Sequence, residues 1–209
     1  MRRFAAIVAL VVTGFVALWV GRSAGTWLIR DDGVQPADAL LVSIGGGYEG
    51  AVEAARLQRT GVAPRLVVTR WADGPDSAAA DLQALGVWVP TPPAVVQAIF
   101  ERSGVPPAAI ERIDREVNGT GPDIAALGTY ARARGFARVL VLTSRSHSRR
   151  VGWLLERALP APVTVMVHSP SADDFDPAGW WRSRDMTREV LIECLRWINA
   201  VILRDPWQD

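Results

Sequence analysis

The sequence predicts an α/β fold of the Rossmann-like, doubly wound type, with a mostly parallel sheet of about five strands. Short apolar segments alternate with longer segments of helical character along most of the chain. Strands that are apolar at nearly every position are typical of parallel sheets covered by helices on both faces. Glycine or proline stands at most segment boundaries, which separates the strands from the helices.

Five segments are predicted as strands. The first, "DALLVSI", runs into three glycines, and "RLVVT" and "IERIDRE" follow as the second and third. "RVLVLTS" has the strongest strand character, and "VTVMVHS" is the fifth. The third is the least apolar of the five and is the weakest of these predictions.

The intervening segments predict six helices. Gly61, Gly86 and Gly135 end three of them, as glycine commonly does at helix C-termini. Thr120 is expected to cap the helix that begins "TGPDIAAL". The last helix is rich in leucine, isoleucine, valine and tryptophan and is expected to lie in the core. The helical segments are "EGAVEAARLQRTG", "SAAADLQALG", "PPAVVQAIFERSG", "TGPDIAALGTYARARG", "HSRRVGWLLERAL" and "TREVLIECLRWINAVIL".

The composition excludes several classes of function. The 209 residues carry a net charge of +1, which gives no reason to expect a nucleic-acid partner. All 23 basic residues are arginine, so neither a Schiff-base lysine nor a P-loop lysine exists here. The single cysteine, Cys194, cannot form an internal disulfide, its mostly apolar neighbours favour a buried thiol, and no His/Cys spacing indicates a zinc site.

The N-terminus predicts a membrane anchor. Residues 4–20 form an uncharged run of 17 residues, at the short end of the range for a spanning helix. Arg2 and Arg3 would hold the N-terminus in the cytoplasm. A cleaved signal peptide is the alternative, but Arg22 occupies the cleavage-site position where a small residue is required. We expect a single-pass inner-membrane protein with an anchor at 1–21, a linker at 22–36, an extracytoplasmic domain at 37–203 and a tail at 204–209.

Polar residues gather where the predicted strands end. In doubly wound sheets, ligands bind beyond the carboxyl ends of the strands. Gly45–Gly47 follow the first strand, where backbone N–H groups could approach an anion, although a tight turn is the alternative. Ser144, His147 and Arg150 follow the fourth, where His147 suits acid–base chemistry and Arg150 suits an anion. His168 ends the fifth strand, with nothing else to mark it as functional.

Carboxylates are scarce at these predicted strand ends. Glu116 and Asp123, which flank Asn118, are the only acidic residues expected near His147. Thr120 lies between them and, like Asn118, has helix capping as its alternative role. The absence of a carboxylate cluster makes a metal-dependent phosphatase less favoured, and no metal ligands are predicted.

Several motifs resemble those of a known family. They are the first strand with its glycines, "ADALLVSIGGG", the helix and strand "AARLQRTGVAPRLVVT", and "NGT" at Asn118–Thr120. The most specific is a strand followed by Thr-Ser-x-x-His-x-x-Arg, here Thr143, Ser144, His147 and Arg150. Over residues 37–200 the chain resembles the YdcF-like family of envelope proteins, which includes SanA and ElyC. It departs from the family pattern at the second strand end, "TRWADG", where Ser-Gly-Gly is usual.

The resemblance implies a Rossmann-like fold with a polar pocket at the strand ends and a role in cell-envelope or cell-wall homeostasis. It also makes an adenosyl-type ligand such as S-adenosylmethionine possible. His147 and Ser144 would be the catalytic residues. A glutamate of the last helix matches Glu189, and the expected ligand-binding residues are Gly45, Gly46, Gly47, Asn118, Thr120, Thr143, Arg150 and Glu189.

Three functions are therefore expected, in order of preference. The first is binding of a small anionic or nucleotide-like ligand, or of a lipid-linked envelope precursor, by a membrane-anchored domain. The second is a hydrolase or transferase that uses the same site on phosphate-containing precursors. The third is a non-catalytic interaction module, for which the nine tryptophans, with Trp180 and Trp181 adjacent, would form a surface unless they only fill the core.

Overall fold

The computed structural model describes residues 13–14, 21–72 and 79–203. The predicted membrane anchor, residues 1–21, lies outside them except for Thr13, Gly14 and Gly21. No helix within the described ranges combines the length and apolar character needed to cross a membrane.

The predicted α/β fold with a five-stranded sheet is confirmed in the described part of the chain, and every pairing in the sheet is parallel. The strand order is β3-β2-β1-β4-β5, the order of a doubly wound Rossmann-like sheet. The strands are β1 (Ala39–Val42), β2 (Leu66–Trp71), β3 (Ile110–Val117), β4 (Arg138–Leu142) and β5 (Thr164–His168).

Six α-helices connect or follow the strands in the described ranges. Pro92 opens one of them at a position where its missing N–H costs nothing, and Gly61, Gly86, Gly104 and Gly135 follow four of them with positive φ. The helices are α1 (Gly47–Arg59), α2 (Ala79–Ala84), α3 (Pro92–Arg102), α4 (Thr120–Ala133), α5 (Ser148–Ala158) and α6 (Arg184–Ile198).

Each face of the sheet carries its own hydrophobic core. Because side chains alternate along a strand, β1 sends Leu40 and Val42 to one face and Ala39 and Leu41 to the other. The first face packs against α1 and α3, where Phe100 is fully buried. The second packs against α4 and α5. Coverage on both faces explains why four of the strands are almost continuously apolar.

Two glycines on different helices predict opposite effects of the same substitution. A Cβ added to Gly128 in α4 would lie 2.5 Å from the Cβ of Ala158 in α5, whereas one added to Gly50 in α1 meets nothing within 4 Å. We expect Gly128→Ala to lower the free energy of unfolding by about 1–3 kcal/mol through overpacking. Gly50→Ala should raise it by about 0.5–1 kcal/mol, because alanine favours the helix.

Urea unfolding followed by circular dichroism measures both effects. Adding Ala158→Gly to Gly128→Ala should recover part of the loss, since it removes the clashing methyl group. Equal stabilisation by Gly128→Ala and Gly50→Ala would contradict the close α4–α5 contact.

The expectation that the last helix lies in the core is wrong, because most of α6 is exposed. Only Val190 and Glu193 are buried within it, and Val190 belongs to a small third cluster with Leu28 and Phe175. Leucine and isoleucine side chains on the opposite face, such as Leu195, point into solvent. A π-helical turn, Asn199–Leu203, follows the helix.

The segment predicted as a linker is bonded to the domain over part of its length. Residues 21–27 are helical, and Leu28 is fully buried. The Arg30 guanidinium lies 2.8 Å from Asp32 and 2.7 Å from Glu156 of α5, and the Asp32 N–H donates to the Val167 carbonyl of β5 at 2.9 Å. The chain therefore enters the fold along the β5 edge of the sheet.

Candidate functional site

The carboxyl ends of β1 and β4 meet at the centre of the sheet, where the connections diverge to opposite faces. Each strand passes through a short 3₁₀ turn into a helix, Ile44–Gly46 before α1 and Arg145–His147 before α5. The Ser43 N–H donates to the Leu142 carbonyl at 3.1 Å, and the Ser144 N–H donates to the Gly45 carbonyl at 3.2 Å. The two loops are thus joined at the position where doubly wound folds bind ligands.

Glycine is required where the two loops touch. A Cβ on Gly46 would lie 3.1 Å from both the Leu142 carbonyl oxygen and the Thr143 Cα, and neither backbone atom can move aside easily. Gly47 has a φ of +60°, which side chains with a Cβ rarely adopt. The predicted glycine cluster therefore first serves close packing of β1 against β4.

The amides of this loop are already used within the protein. The N–H groups of Gly45 and Gly46 donate to Ser43, and that of Gly47 donates to the Ile44 carbonyl. The Ile44 N–H donates to Asp123 Oδ2 at 2.9 Å. The backbone of Ile44–Gly47 thus offers an anion no unused donor, so a ligand must be recognised through side chains.

Asp123, at the start of α4, supports the β1 loop from below. It is fully buried, and its carboxylate accepts from Thr69 Oγ1 at 2.5 Å as well as from Ile44. Burial raises the pKa of Asp123 to about 6, although hydrogen bonds from Thr69, Ile44 and Ser43 act in the opposite direction. Asp123 positions the loop and lines neither of the cavities described below.

The raised pKa of Asp123 predicts that the folded protein loses stability as the pH rises through about 6. The pKa of Asp123 is higher in the folded than in the unfolded chain, so the folded state keeps this proton to a higher pH. The protonated carboxyl therefore adds to the free energy of unfolding, and this addition disappears once Asp123 is ionised in both states. Between pH 5 and 7.5 we expect this group to lower the free energy of unfolding by about 1.4 kcal/mol. Asp123→Asn should remove that component in urea unfolding at the two pH values; identical pH dependence in both proteins would contradict it.

His147 is held in place by a buried ion cluster. Its Nδ1 lies 2.8 Å from Glu193 Oε2, and Glu193 Oε1 lies 2.5 Å from Arg150 Nε. Glu193 is fully buried and Arg150 is 1% exposed. Burial alone would raise the pKa of Glu193, but His147 and Arg150 outweigh it and hold the pKa at about 2. Nδ1 makes this contact at ion-pair distance without hydrogen-bond geometry, and Nε2 is the ring nitrogen left to act toward a ligand.

A cavity of about 480 Å³ opens above the β1 and β4 loops, bordered by His147, Ser144 and Gly45–Gly47. The charged side chains that line it otherwise are acidic: Glu49, Asp173, Asp174 and Glu189. No group of three or more His, Cys, Asp or Glu side chains in the described ranges is arranged to hold a metal ion. The carboxylates suit hydroxyl or amine donors of a ligand.

Buried hydroxyls without partners lie at the same strand ends. Thr143 Oγ1, Ser144 Oγ and Ser169 Oγ make no hydrogen bond within the described structure. Such groups are costly to bury, which favours sites where they meet a ligand or ordered water. Thr143 lies beside Gly45, since a Cβ there would lie 3.1 Å from its Oγ1.

A second cavity of about 320 Å³ adjoins the first along α6. His147 and Glu189 border both cavities. The second also has Arg188, Arg196 and the carboxylate of Asp185 in its wall, whereas no arginine lines the first. His147 therefore stands between an acidic cavity and one with two guanidinium groups.

Other predicted residues lie away from the cavities. Arg150 points to Glu193 and lines neither cavity. Asn118 is exposed, and Thr120 is buried as the first residue of α4. The expectation that Thr120 caps α4 is wrong, because Gly119 takes the cap position in an extended conformation and its carbonyl accepts from the Asp123 N–H at 3.1 Å.

The acidic residue beside His147 was predicted wrongly. Glu193 is the partner of His147, whereas the residues expected near His147 were Glu116 and Asp123. Glu116 instead pairs with Arg70 at 3.0 Å on the surface. Glu189, which was predicted from the family resemblance, lies four residues before Glu193, and this spacing of one helical turn is the only sequence signal for Glu193.

His168 forms a separate polar cluster. Its Nδ1 lies 3.2 Å from Asp31 Oδ1 and its Nε2 lies 3.5 Å from Glu53 Oε1, and it lines neither cavity. His168 thus provides a control histidine at a neighbouring strand end.

A scan against known family models finds no match to this chain, and a search of the curated proteins finds no similar sequence. The resemblance to the YdcF-like family stays a prediction from the motifs.

Proposed function

We propose that the chain is a YdcF-like, single-pass inner-membrane protein that acts in envelope homeostasis. Its Rossmann-like domain would lie outside the cytoplasm and bind a small ligand that carries an anionic group beside hydroxyl or amine donors. The observation that carries the ligand proposal is His147, which lies 2.8 Å from Glu193 at the border of an acidic cavity and of a second cavity that contains two arginines.

The charges of the two cavities assign the ends of such a ligand. The anionic group lies beside Arg188 and Arg196, because guanidinium groups bind phosphate and carboxylate through paired hydrogen bonds. The donor-rich part lies against the carboxylates of Glu49 and Glu189. A phosphorylated sugar or a phosphorylated envelope precursor has this combination of groups.

An adenosyl-type ligand fits the first cavity by chemistry and size. The sulfonium and ammonium groups of S-adenosylmethionine are cationic, and the lining carboxylates favour positive charge. The cavity volume of about 480 Å³ is within the usual range for small-molecule sites. Ribose hydroxyls would donate to the same carboxylates.

A hydrolase or transferase acting on phosphate esters is the second candidate, favoured by the Glu193–His147 pair. His147 would take a proton from the attacking hydroxyl or give one to the leaving oxygen, while Glu193 stabilises the protonated ring. Ser144 Oγ has no hydrogen bond to His147, which favours a positioning role over that of an activated nucleophile.

A thermal-shift screen of the full chain in detergent tests the binding proposal. The panel holds nucleotides, S-adenosylmethionine, sugar phosphates, polyprenyl phosphates and divalent metals. A ligand at about 100 times its dissociation constant should stabilise the folded state by about 2.7 kcal/mol. We expect phosphate-bearing ligands to raise the melting temperature of the wild type and of His168→Gln, and not of His147→Ala or the double variant Arg188→Gln/Arg196→Gln.

The screen separates the rival functions. A ligand that stabilises all variants equally binds elsewhere and contradicts the proposed site. A panel with no stabilising ligand would favour the non-catalytic interaction module. The full chain is used because Leu28 and Arg30, upstream of the sheet, are packed into the fold.

A further inference from the structure

The exposed side of α6 and its π-helical turn forms a continuous apolar ridge. Leu191, Leu195, Ile198 and Ile202 follow one another at spacings of four, three and four residues, which places them on one helical face. Their exposed fractions range from 37% to 68%, although all are large aliphatic side chains. The apolar ridge consists of Leu191, Ile192, Leu195, Ile198, Val201 and Ile202.

Two of the three carboxylates of α6 face away from this ridge. Glu189 accepts from Ser146 and Glu193 binds Arg150, so both carboxylates turn away from the exposed side. Arg184 and Arg188 continue the ridge toward the helix N-terminus, at further steps of four and three residues, and both are exposed. The outer side of α6 thus joins an apolar surface to the guanidinium groups of Arg184 and Arg188, with the exposed carboxylate of Asp185 between them in the sequence.

The ridge adjoins the entry of the N-terminal segment into the fold. The helical residues 21–27 end at Trp27, which is 48% exposed. Its ring centroid lies 5.1 Å from that of Trp197 on α6. The uncharged run of residues 4–20 therefore ends about 10 Å of helix before a contact with α6.

We propose that the apolar ridge of α6 lies on the surface of a lipid bilayer, with its side chains at the boundary between headgroups and acyl chains. A bilayer suits the whole surface: aliphatic side chains enter the boundary, Trp27 lies at the depth that indole prefers, and Arg184 and Arg188 meet anionic headgroups. Each such arginine contributes about 1 kcal/mol near an anionic surface. A second copy packed antiparallel on the ridge would instead place the arginines against Ile198 and Ile202.

This inference rests on the membrane anchor of the proposed function and shares Ile192 and Arg188 with the second cavity, whereas Leu195, the position tested, lines neither cavity. The anchor alone would bring the domain near the membrane without fixing which face touches it. The ridge fixes that face and makes the helix the second point of attachment.

Depth-dependent quenching on the full chain tests the proposal. In a Cys194→Ala background, one variant carries Leu195→Cys and another carries Val52→Cys, each labelled with an environment-sensitive fluorophore. Val52, on α1, is 53% exposed, close to the 64% of Leu195, and serves as the matched control. The proteins are reconstituted into vesicles of phosphatidylcholine and phosphatidylglycerol, with or without nitroxide-labelled lipids.

We expect blue-shifted emission and strong nitroxide quenching at position 195, and neither at position 52. If the chain floats with the vesicles but neither position is quenched, the anchor is supported and the ridge proposal is overturned. Blue-shifted emission at position 195 without nitroxide quenching also overturns the ridge proposal. If this blue shift is lost at a low protein-to-lipid ratio, a second copy of the chain covers the ridge. If the blue shift persists, residues 4–20 cover it. A chain that does not float overturns both anchor and ridge.

Discussion

Glu193→Gln is expected to lower the free energy of unfolding by about 3–5 kcal/mol at pH 7, because it leaves a buried guanidinium without its counter-charge. Arg150 is 1% exposed and its Nε lies 2.5 Å from Glu193 Oε1, so water cannot replace the lost carboxylate. His147 loses its partner at the same time. Urea unfolding of the variant and the wild type measures the difference.

The matched control is Glu116→Gln, which breaks an ion pair whose side chains, Arg70 and Glu116, are 53% and 58% exposed. An exposed pair contributes less than about 1 kcal/mol, so this variant should unfold almost as the wild type does. Replacing both Arg150 and Glu193 by methionine should recover most of the loss. Equal effects of Glu193→Gln and Glu116→Gln would show that the cluster does not stabilise the fold.

The ion cluster of Glu193 also makes the free energy of unfolding fall at acid pH. The pKa of Glu193 is about 2 in the folded chain, below the ordinary value of 4.5. Its contribution is therefore complete above the unfolded pKa and is lost as the pH falls from about 5 toward 2. Glu193→Gln should lack this part of the acid dependence, which a series of urea titrations across that range would detect.

His147→Gln is expected to reduce turnover of phosphate-ester ligands about 10²–10⁴-fold, the usual contribution of a general acid or base. Glutamine retains a polar side chain but cannot carry the proton. The measurement is release of inorganic phosphate from those phosphate esters that raise the melting temperature of the wild type. Both kcat and KM are needed, because a group acting on the proton lowers kcat more than it weakens binding.

His168→Gln is the control, since His168 lies at the neighbouring strand end but outside both cavities. It should retain wild-type turnover. Turnover that is unchanged in His147→Gln would exclude the acid–base role. Binding without turnover in the wild type would favour a ligand-binding protein over an enzyme.

The strands and their polar ends were predictable because local pattern determines them. "VLVLTS" is apolar where β4 is buried and polar where it ends, and Gly45–Gly47 follow β1 because the two loops meet there. His147 could therefore be placed at the β4 end, and Gly45–Gly47 at the β1 end, from the sequence alone. The parallel sheet then brings both ends to one edge.

The partner of His147 could not be predicted because it comes from α6, 46 residues further along the chain. Nothing in "LIECLRW" shows that Glu193 faces inward while Leu195 faces outward. An amphipathic pattern reveals two faces, and the apolar one is ordinarily assigned to the core. Here the inward face combines the ion pairs of Glu193 with a small apolar cluster around Val190, and most of the large aliphatic side chains lie on the outer face.

The first turn of α5 and the residue before it make four different contacts in four consecutive positions. His147 faces the cavities, Ser148 accepts from the Arg30 N–H at 2.8 Å, Arg149 binds the Trp27 and Ile29 carbonyls, and Arg150 holds Glu193. Each successive position is rotated by about 100° around the helix axis. Inserting or deleting one residue in this stretch would turn the side chains after it away from their partners, so the number of residues here matters as well as their identity.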